Sequence, residues 1–276
     1  MTGLLTDWNM ASCRPASTPL SSTPLPLASA NSLPDVSDAD LKTKYQRLVG
    51  CLLYLAVSTR PDIVFASMWL GQFSTNPSRS HFLAAKHVLR YLAGTHTLAL
   101  SYGVPHPSTP PTLRGFMHNL GCLDADWASD ATHRRSISGF CFFFQGSLVS
   151  WSAVKQRTIA LSSTEAECYA LTHAFKEALW LRVFLTLLHL PVPRPFSIFS
   201  DNQAAISLSS STTVSSRSKH IDICYHFLRS HVSDGSFTIT WIPSTDMPAD
   251  LFTKPLSDPA FSRHCSVLGL VSLPPS

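Results

Sequence analysis

Four acidic residues stand at the ends of separate segments and are the residues most suited to chemistry in this 276-residue chain. Two follow apolar, strand-like runs, one opens a helix-like stretch and one lies between prolines; they are Asp124, Glu165, Asp201 and Asp250. Carboxylate oxygens are the ligands that hard divalent cations prefer. Two such cations about 3.5–4 Å apart clamp an in-line phosphodiester hydrolysis. The pattern therefore predicts a metal-dependent nuclease that uses these four residues as catalytic metal ligands.

Three of these acids have simple competing interpretations. Asp126 lies two residues after Asp124 and therefore on the same face of the predicted strand. Asp201 precedes a predicted helix, where an aspartate is an ordinary N-cap, although the carboxyl end of a strand is also where open α/β sheets bind ligands. Asp246 competes with Asp250 in the last segment.

The fourth acid has a rival two residues along the chain. Ser162 and Glu165 have capping-box spacing, and so do Thr164 and Glu167, so either glutamate could only secure the start of the helix. If Thr164 is the cap, Glu167 is its partner and Glu165 projects from the first turn toward a metal. We therefore expect Glu165 to be the ligand.

Several motifs resemble, in the same order, the Pol polyproteins of copia-type retrotransposons. In the second half these are DADW (124–127), LSSTEAE (161–167), DNQ (201–203), KHID (219–222) and ADLFTKPL (249–256), which mark the ribonuclease H domain there. In the first half YQRLVGCLLY (45–54), TRPDI (59–63) and AAKHVLRYLAGT (84–95) resemble the end of the reverse transcriptase, where thumb and connection lie. The resemblance covers most of the chain and favours Asp124 over Asp126 and Asp250 over Asp246.

The resemblance implies hydrolysis of the RNA strand of RNA–DNA hybrids, with two Mg²⁺ ions, or Mn²⁺ as a substitute, held by the four acids. Partners would be the hybrid and the upstream reverse transcriptase portion of Pol. The candidate substrate-binding residues are Lys155, Gln156, Arg157, Asn202, Lys219 and His220. Basic side chains there would neutralise phosphates with little sequence selectivity, because hybrids are read by shape and 2′-hydroxyls. An ordinary solvated basic turn explains Lys155 to Arg157 equally well.

The chain also departs from the family pattern. Cys168 stands where the family usually has tyrosine and Cys224 where it usually has arginine, and residues 243–248 lack the histidine that many ribonucleases H carry there. The alternative is therefore a catalytically silent transposon remnant that at most binds nucleic acid. A Tyr-x-Asp-Asp polymerase signature is absent from the sequence, so we expect no polymerase activity from this chain.

Composition is compatible with a nucleic-acid enzyme without requiring one. The net charge is +4 and the pI about 8.7, which is only mildly basic. Seven cysteines without any Cys-x-x-Cys pair disfavour a zinc knuckle or a disulfide framework and indicate a reducing compartment. The apolar runs are too short or interrupted to span a bilayer, so we expect no membrane association. We expect an intracellular protein, either in the cytoplasm, within a virus-like particle, or in the nucleus.

Patterning predicts an α/β protein with a helical segment before it. Strand and helix signals after residue 115 follow the order β-β-β-α-β-α-α-β-α, which is that of the ribonuclease H-like fold, a mixed five-stranded sheet with flanking helices. The expected divisions are an extended or disordered lead-in (1–40), a helical reverse-transcriptase remnant (41–103), a linker (104–114), the ribonuclease H-like domain (115–257) and a C-terminal tail (258–276).

Overall fold

The computed structural model describes residues 2–21, 39–103, 107, 109–114, 116, 119–128, 134–192, 194–210 and 219–273. In chain order its helices and strands are α1 (Thr2–Asp7), α2 (Ala39–Ser58), α3 (Val64–Gly71), α4 (Arg79–Gly94), β1 (Leu98–Leu100), α5 (Pro111–Arg114), β2 (Asn119–Asp126), β3 (Ile137–Phe144), β4 (Ser147–Lys155), α6 (Ser163–Leu187), β5 (Phe196–Ser200), α7 (Gln203–Ser210), α8 (Lys219–Ser233), β6 (Phe237–Trp241), α9 (Asp258–Val267) and β7 (Leu270–Ser272). Short 3₁₀ helices span Pro61–Ile63, Ser244–Asp246 and Pro248–Phe252. Among the described residues, none of these helices is both long and apolar enough to cross a membrane.

The chain divides into two compact units, Met1–Ser101 with Lys254–Ser276, and Tyr102–Thr253. The first unit is helical, as its sequence pattern predicts, and α2, α3 and α4 pack around buried Tyr45, Leu52 and Leu89. Its last elements are α9 and β7, and β7 pairs antiparallel with β1. The described part of the predicted tail, residues 258–273, contains a helix and a paired strand, and Phe261 and Leu268 are buried in this unit.

A buried polar network explains two motifs of the first unit. Arg60 and Asp62 of the TRPDI motif are each 1% exposed and form an ion pair of 2.6 Å. Tyr91 donates its hydroxyl to Asp62 Oδ2 at 2.6 Å, and Arg60 also donates to Thr95 Oγ1 at 2.7 Å. Every partner is inside the protein, so this network stabilises the unit only while all its members are present.

Part of the predicted lead-in, residues 2–21, lies within the described residues and contains a helix. Residues 2–21 form α1 and a series of turns, with Leu5 and Leu20 buried. Arg90 of α4 donates to the Arg14 carbonyl at 2.8 Å, so this segment is held by a helix distant in sequence. Composition alone does not reveal such long-range contacts. Residues 22–38, the rest of the predicted lead-in, lie outside the described residues.

The second unit contains a five-stranded mixed sheet in the order β4-β3-β2-β5-β6. The pairs β4–β3 and β3–β2 are antiparallel, and the pairs β2–β5 and β5–β6 are parallel. A tight turn joins β3 to β4: Gln145 and Gly146 have φ of 51° and 80°, the conformation that a tight two-residue connection requires. The sheet and the element order confirm the predicted ribonuclease H-like fold.

One face of this sheet packs on the helices. Its core joins sheet residues Leu123, Phe140 and Ile198 to Leu171 and Phe175 of α6. Leu228 of α8 and Ala205 of α7 extend the same cluster. This packing sets the rotation of α6 about its axis and therefore decides which of its polar side chains meet the ends of the strands.

Candidate active site

Three carboxylates converge at one edge of the sheet in the second unit. Asp124, Glu167 and Asp201 each offer an oxygen, and these atoms all lie within 4.8 Å of one another. Asp124 and Glu167 are buried, and Asp201 is half-buried. Ionised carboxylates this close repel one another, and a divalent cation between them removes the repulsion. An all-oxygen, anionic donor set of this kind fits a hard cation such as Mg²⁺ or Mn²⁺.

The parallel register of two strands positions two of these acids. Cys122 of β2 lies opposite Phe199 of β5. Two residues further along each chain come Asp124 and Asp201, so both aspartates reach the same carboxyl-terminal edge. This edge is where open α/β sheets commonly bind ligands. The structure therefore brings these two aspartates together, and their role as metal ligands stays a prediction.

Asp201 is available at this edge because its neighbour caps the next helix. Asn202 Oδ1 accepts from the Ala205 amide at 3.0 Å, which makes Asn202 the N-cap of α7. The Asp201 side chain instead accepts from Ser244 Oγ at 2.6 Å, and its carbonyl accepts from Trp241 Nε1 at 3.1 Å. The predicted substrate contact Asn202 thus has a structural task in the fold.

The third acid of the group is Glu167, whereas Glu165 lies outside the group. Ser162 is the N-cap of α6 and accepts from the Glu165 amide at 3.2 Å. Glu165 Oε2 accepts from the Leu161 amide at 2.8 Å, so its carboxylate helps to close the helix start. Glu167 reaches across to β2, where its Oε1 accepts from the Ala125 amide at 3.1 Å. The structure therefore places Glu167, and not Glu165, beside Asp124 and Asp201, and Ser162, not Thr164, is the cap of the helix.

A tyrosine also hydrogen-bonds to the Glu165 carboxylate. The Tyr169 hydroxyl donates to Glu165 Oε1 at 3.3 Å. Burial is the main cause that raises the pKa of Tyr169, so its hydroxyl remains a donor.

Asp250 is outside the group of three acids. It lies in the 3₁₀ helix Pro248–Phe252, which packs on β2 and β3, and its side chain is buried. Thr253, directly after this helix, donates its hydroxyl to Asp124 Oδ2. Gly139 of β3 lies opposite Asp124, and its lack of a side chain lets the 3₁₀ helix approach β3 closely. A Cβ at this position would lie only 2.7 Å from Phe252 Cβ. The rival Asp246 accepts from Thr112 Oγ1 at 3.2 Å.

The remaining substrate-binding candidates differ in exposure. Gln156 is buried, and its amide donates to Ser138 Oγ at 2.8 Å and to the Ala166 carbonyl at 2.9 Å, which ties α6 to β3. Lys155 is half-buried at the end of β4 and Arg157 is exposed. Lys219 and His220 belong to α8, but their side chains lie outside the described part of the chain. Gln156 is therefore placed to position the Glu167 helix and not to face solvent.

The two cysteines that depart from the family pattern do not belong to the acidic group. Cys168 is buried in the core between the sheet and α6, and burial raises the pKa of its thiol. Burial likewise raises the pKa of Cys224, which packs against the same core. Both are neutral packing residues.

The sequence patterns did not place Glu167 beside the two aspartates and did not indicate the hydroxyls of Ser244 and Thr253. The Ser162–Glu165 spacing favours Glu165 as the capping residue, but the Thr164–Glu167 spacing favours Glu167 equally, so the sequence does not choose between them. No local signal marks Ser244 or Thr253, because their partners are about forty and more than a hundred residues away in sequence.

No protein-family model matches the chain. A solved LC11-RNase H1 in complex with an RNA/DNA hybrid gives a TM-score of 0.38 at 12% identity, over 49% of this chain and 93% of that one. Sequence relatives are much more similar. The retrovirus-related Pol polyprotein from transposon TNT 1-94 of Nicotiana tabacum is 36% identical over 98% of this chain, and that from transposon RE1 of Arabidopsis thaliana is 38% identical over 99%.

The aligned region is a limited part of those relatives, since the chain spans 20% of the TNT 1-94 polyprotein and 18% of the RE1 polyprotein. Within that region the alignment runs through both structural units and includes the segments that carry Asp124, Glu167 and Asp201. The chain belongs to the Pol polyprotein family of copia-type retrotransposons.

Proposed function

We propose that this chain is a divalent-metal-dependent ribonuclease that cleaves the RNA strand of RNA–DNA hybrids. The observation that carries the proposal is the convergence of Asp124, Glu167 and Asp201, with one oxygen from each within 4.8 Å of the others. Membership in the Pol family supports it, because the chain aligns with polyproteins named as retrovirus-related. The hybrid as substrate and the upstream part of Pol as partner belong to the same proposal.

Each of the acidic and basic residues near the site would have a separate role in the reaction. Asp124, Glu167 and Asp201 would hold Mg²⁺ or Mn²⁺, and such ions supply Lewis-acid stabilisation and an activated water for phosphodiester hydrolysis. Asp250 is the fourth acid of the proposed site and would contribute from the neighbouring 3₁₀ helix. Lys155 and Arg157 would neutralise backbone phosphates beside the site. Glu165 would act only through the helix start that presents Glu167.

The two glutamates provide a matched test, because Glu167→Gln and Glu165→Gln make the same change two residues apart. A labelled RNA–DNA hybrid is incubated with each purified variant in Mg²⁺, in Mn²⁺ and in EDTA. We expect Glu167→Gln to lose more than the roughly 10–100-fold that removal of an outer-shell partner costs a metal site. Glu165→Gln should cleave at nearly the wild-type rate, since a glutamine oxygen still accepts from the Leu161 amide.

Further samples test the substrate preference and the metal requirement of the cleavage reaction. Duplex DNA and duplex RNA should resist cleavage, and Asp201→Asn should match Glu167→Gln. Mg²⁺ at about 100 times its Kd should stabilise the wild type by about 2.7 kcal/mol and leave Asp201→Asn unaffected. Loss of cleavage in Glu165→Gln alone would return Glu165 to the metal site. A folded wild type that binds the hybrid without cutting it in either metal would identify the silent remnant instead.

A further inference from the structure

Two hydroxyl groups from one short segment contact two of the three converging acids. Thr253 Oγ1 donates to Asp124 Oδ2, and Ser244 Oγ donates to Asp201 Oδ2 at 2.6 Å. The segment 244–253 also contains Asp250. Glu167 of α6 contacts the Ala125 amide of β2, and Trp241 of β6 contacts the Asp201 carbonyl. Residues 244–253 therefore bring a separate part of the chain to the three acids.

We infer that Thr253 and Ser244 are positioning residues that orient the carboxylates of Asp124 and Asp201 toward the bound cation; this inference rests on the proposed metal site. A carboxylate rotates about its last side-chain bond, and a hydroxyl that donates to one oxygen restricts that rotation. An ionised carboxylate accepts at about four lone-pair positions, so it binds a hydroxyl and still offers oxygen to a metal. Outer-shell donors of this kind orient metal ligands in proteins.

The segment is rigid enough for such a role. Thr253 is fully buried, and Leu251 and Phe252 before it are buried as well. Pro248 begins the 3₁₀ helix with its fixed backbone angle. Gly139 on β3 leaves the space that the segment occupies. The Thr253 hydroxyl is therefore held in place by packing as well as by its hydrogen bond.

The two hydroxyls differ in setting, and this predicts a graded effect. Thr253 and Asp124 are both buried, so water cannot readily replace the lost donor. Ser244 is exposed and Asp201 half-buried, so water replaces Ser244 more easily. Removal of the Thr253 hydroxyl should therefore weaken metal binding more than removal of the Ser244 hydroxyl does.

The test measures Mn²⁺ and Mg²⁺ affinity of the full chain by isothermal titration calorimetry, without nucleic acid. Thr253→Val removes the hydroxyl at nearly constant volume, and Thr253→Ser restores it. The matched control is Thr238→Val, the same change at an exposed position of β6. We expect Thr253→Val to weaken binding roughly 10–100-fold, Thr253→Ser to recover most of the affinity, and Ser244→Ala to fall between Thr253→Val and wild type.

A merely structural role for Thr253 would lower the unfolding midpoint in EDTA but leave the metal Kd of the folded protein unchanged. That result, or an equal loss in Thr238→Val, would overturn the inference. If Thr253→Val does not fold, Ser244→Ala and Thr253→Ser still test the inference. Metal affinity that is unchanged in Ser244→Ala and lost in Thr253→Ser, which keeps the hydroxyl, would contradict the orienting role. Metal binding that depends on Thr253 in a wild type that does not cleave hybrids would sustain this inference and refute the proposed ribonuclease activity. A wild type that binds neither metal would overturn both.

Discussion

Replacing Gly139 with alanine should displace the 3₁₀ helix Pro248–Phe252 from the sheet. A Cβ at this position would lie 2.7 Å from Phe252 Cβ, 2.8 Å from Thr253 Cγ2 and 3.2 Å from the Ala249 carbonyl oxygen. Carbon atoms pack at about 3.5–4.0 Å, so the helix must move by at least about 0.8 Å. The nearest atom is the Phe252 Cβ, which is bonded directly to the backbone, so rotation of the Thr253 methyl group alone cannot relieve the contact.

The cost follows from this overpacking. Extra methyl groups in a filled core cost about 1–3 kcal/mol, and we expect Gly139→Ala to fall in that range. The shift also stretches the hydrogen bond from Thr253 to Asp124, so Mg²⁺ affinity should fall roughly tenfold. The control is Gly50→Ala in α2, where an added Cβ meets nothing within 4 Å and should stabilise the chain by about 0.5–1 kcal/mol.

The assay combines urea denaturation with hydrogen–deuterium exchange of peptides from 119–128 and 244–253. Gly139→Ala should lower the unfolding midpoint and speed exchange in both peptides, whereas Gly50→Ala should leave their exchange unchanged. If Gly139→Ala unfolds at the wild-type urea concentration and binds Mg²⁺ with wild-type affinity, then the close approach of this helix to β3 is not what holds the site.

Two further predictions concern buried groups of the first unit. Asp62→Asn should lower the free energy of unfolding, measured by urea denaturation, by about 3–5 kcal/mol, because it leaves the Arg60 charge buried without its partner. The control is Lys44→Gln, which breaks an exposed pair with Asp40 and should cost at most about 1 kcal/mol. Equal losses in the two variants would contradict the stabilising role of the buried network. Burial lowers the pKa of His81, whose Nδ1 accepts from the Ser78 amide at 3.0 Å. The unfolded state therefore binds more protons, so this contribution to stability is complete above the ordinary imidazole pKa of about 6.5 and is lost as pH falls through the lowered folded value. Urea denaturation between about pH 7.5 and 5.5 should show this decline in the free energy of unfolding. His81→Gln should reduce the dependence of that free energy on pH only in part, since burial also lowers the pKa of His87 and His173. An unchanged pH dependence in His81→Gln would contradict the assignment to His81.

Local sequence patterns were sufficient for the order of the elements and for two of the acids. Apolar runs that end in Asp124 and Asp201 predict strands, and carboxyl ends of parallel neighbours meet at one edge. Gly146 marks the hairpin between β3 and β4, because its positive φ suits glycine. Such features depend on a few adjacent residues and are visible without knowledge of the rest of the fold.

The choice between Glu165 and Glu167 required the tertiary structure. Residues two apart on a helix differ by about 200° in direction, so the two side chains leave α6 on nearly opposite sides. Which side meets β2 is decided by the packing of Leu171 and Phe175 on the sheet, and the helix start is decided by Ser162. Both capping spacings are present in the sequence, and only long-range packing selects between them.

Long-range contacts also decided the other differences. Gln156 follows a strand like an ordinary solvated turn residue, but its amide is buried between Ser138 and the Ala166 carbonyl. The Thr253 hydroxyl meets Asp124 from 129 residues away. The sequence by itself thus determined the family, the element order and the strand-end aspartates. The tertiary structure alone decided which third carboxylate and which hydroxyls lie beside those aspartates, because such contacts depend on which surfaces pack together after the chain has folded.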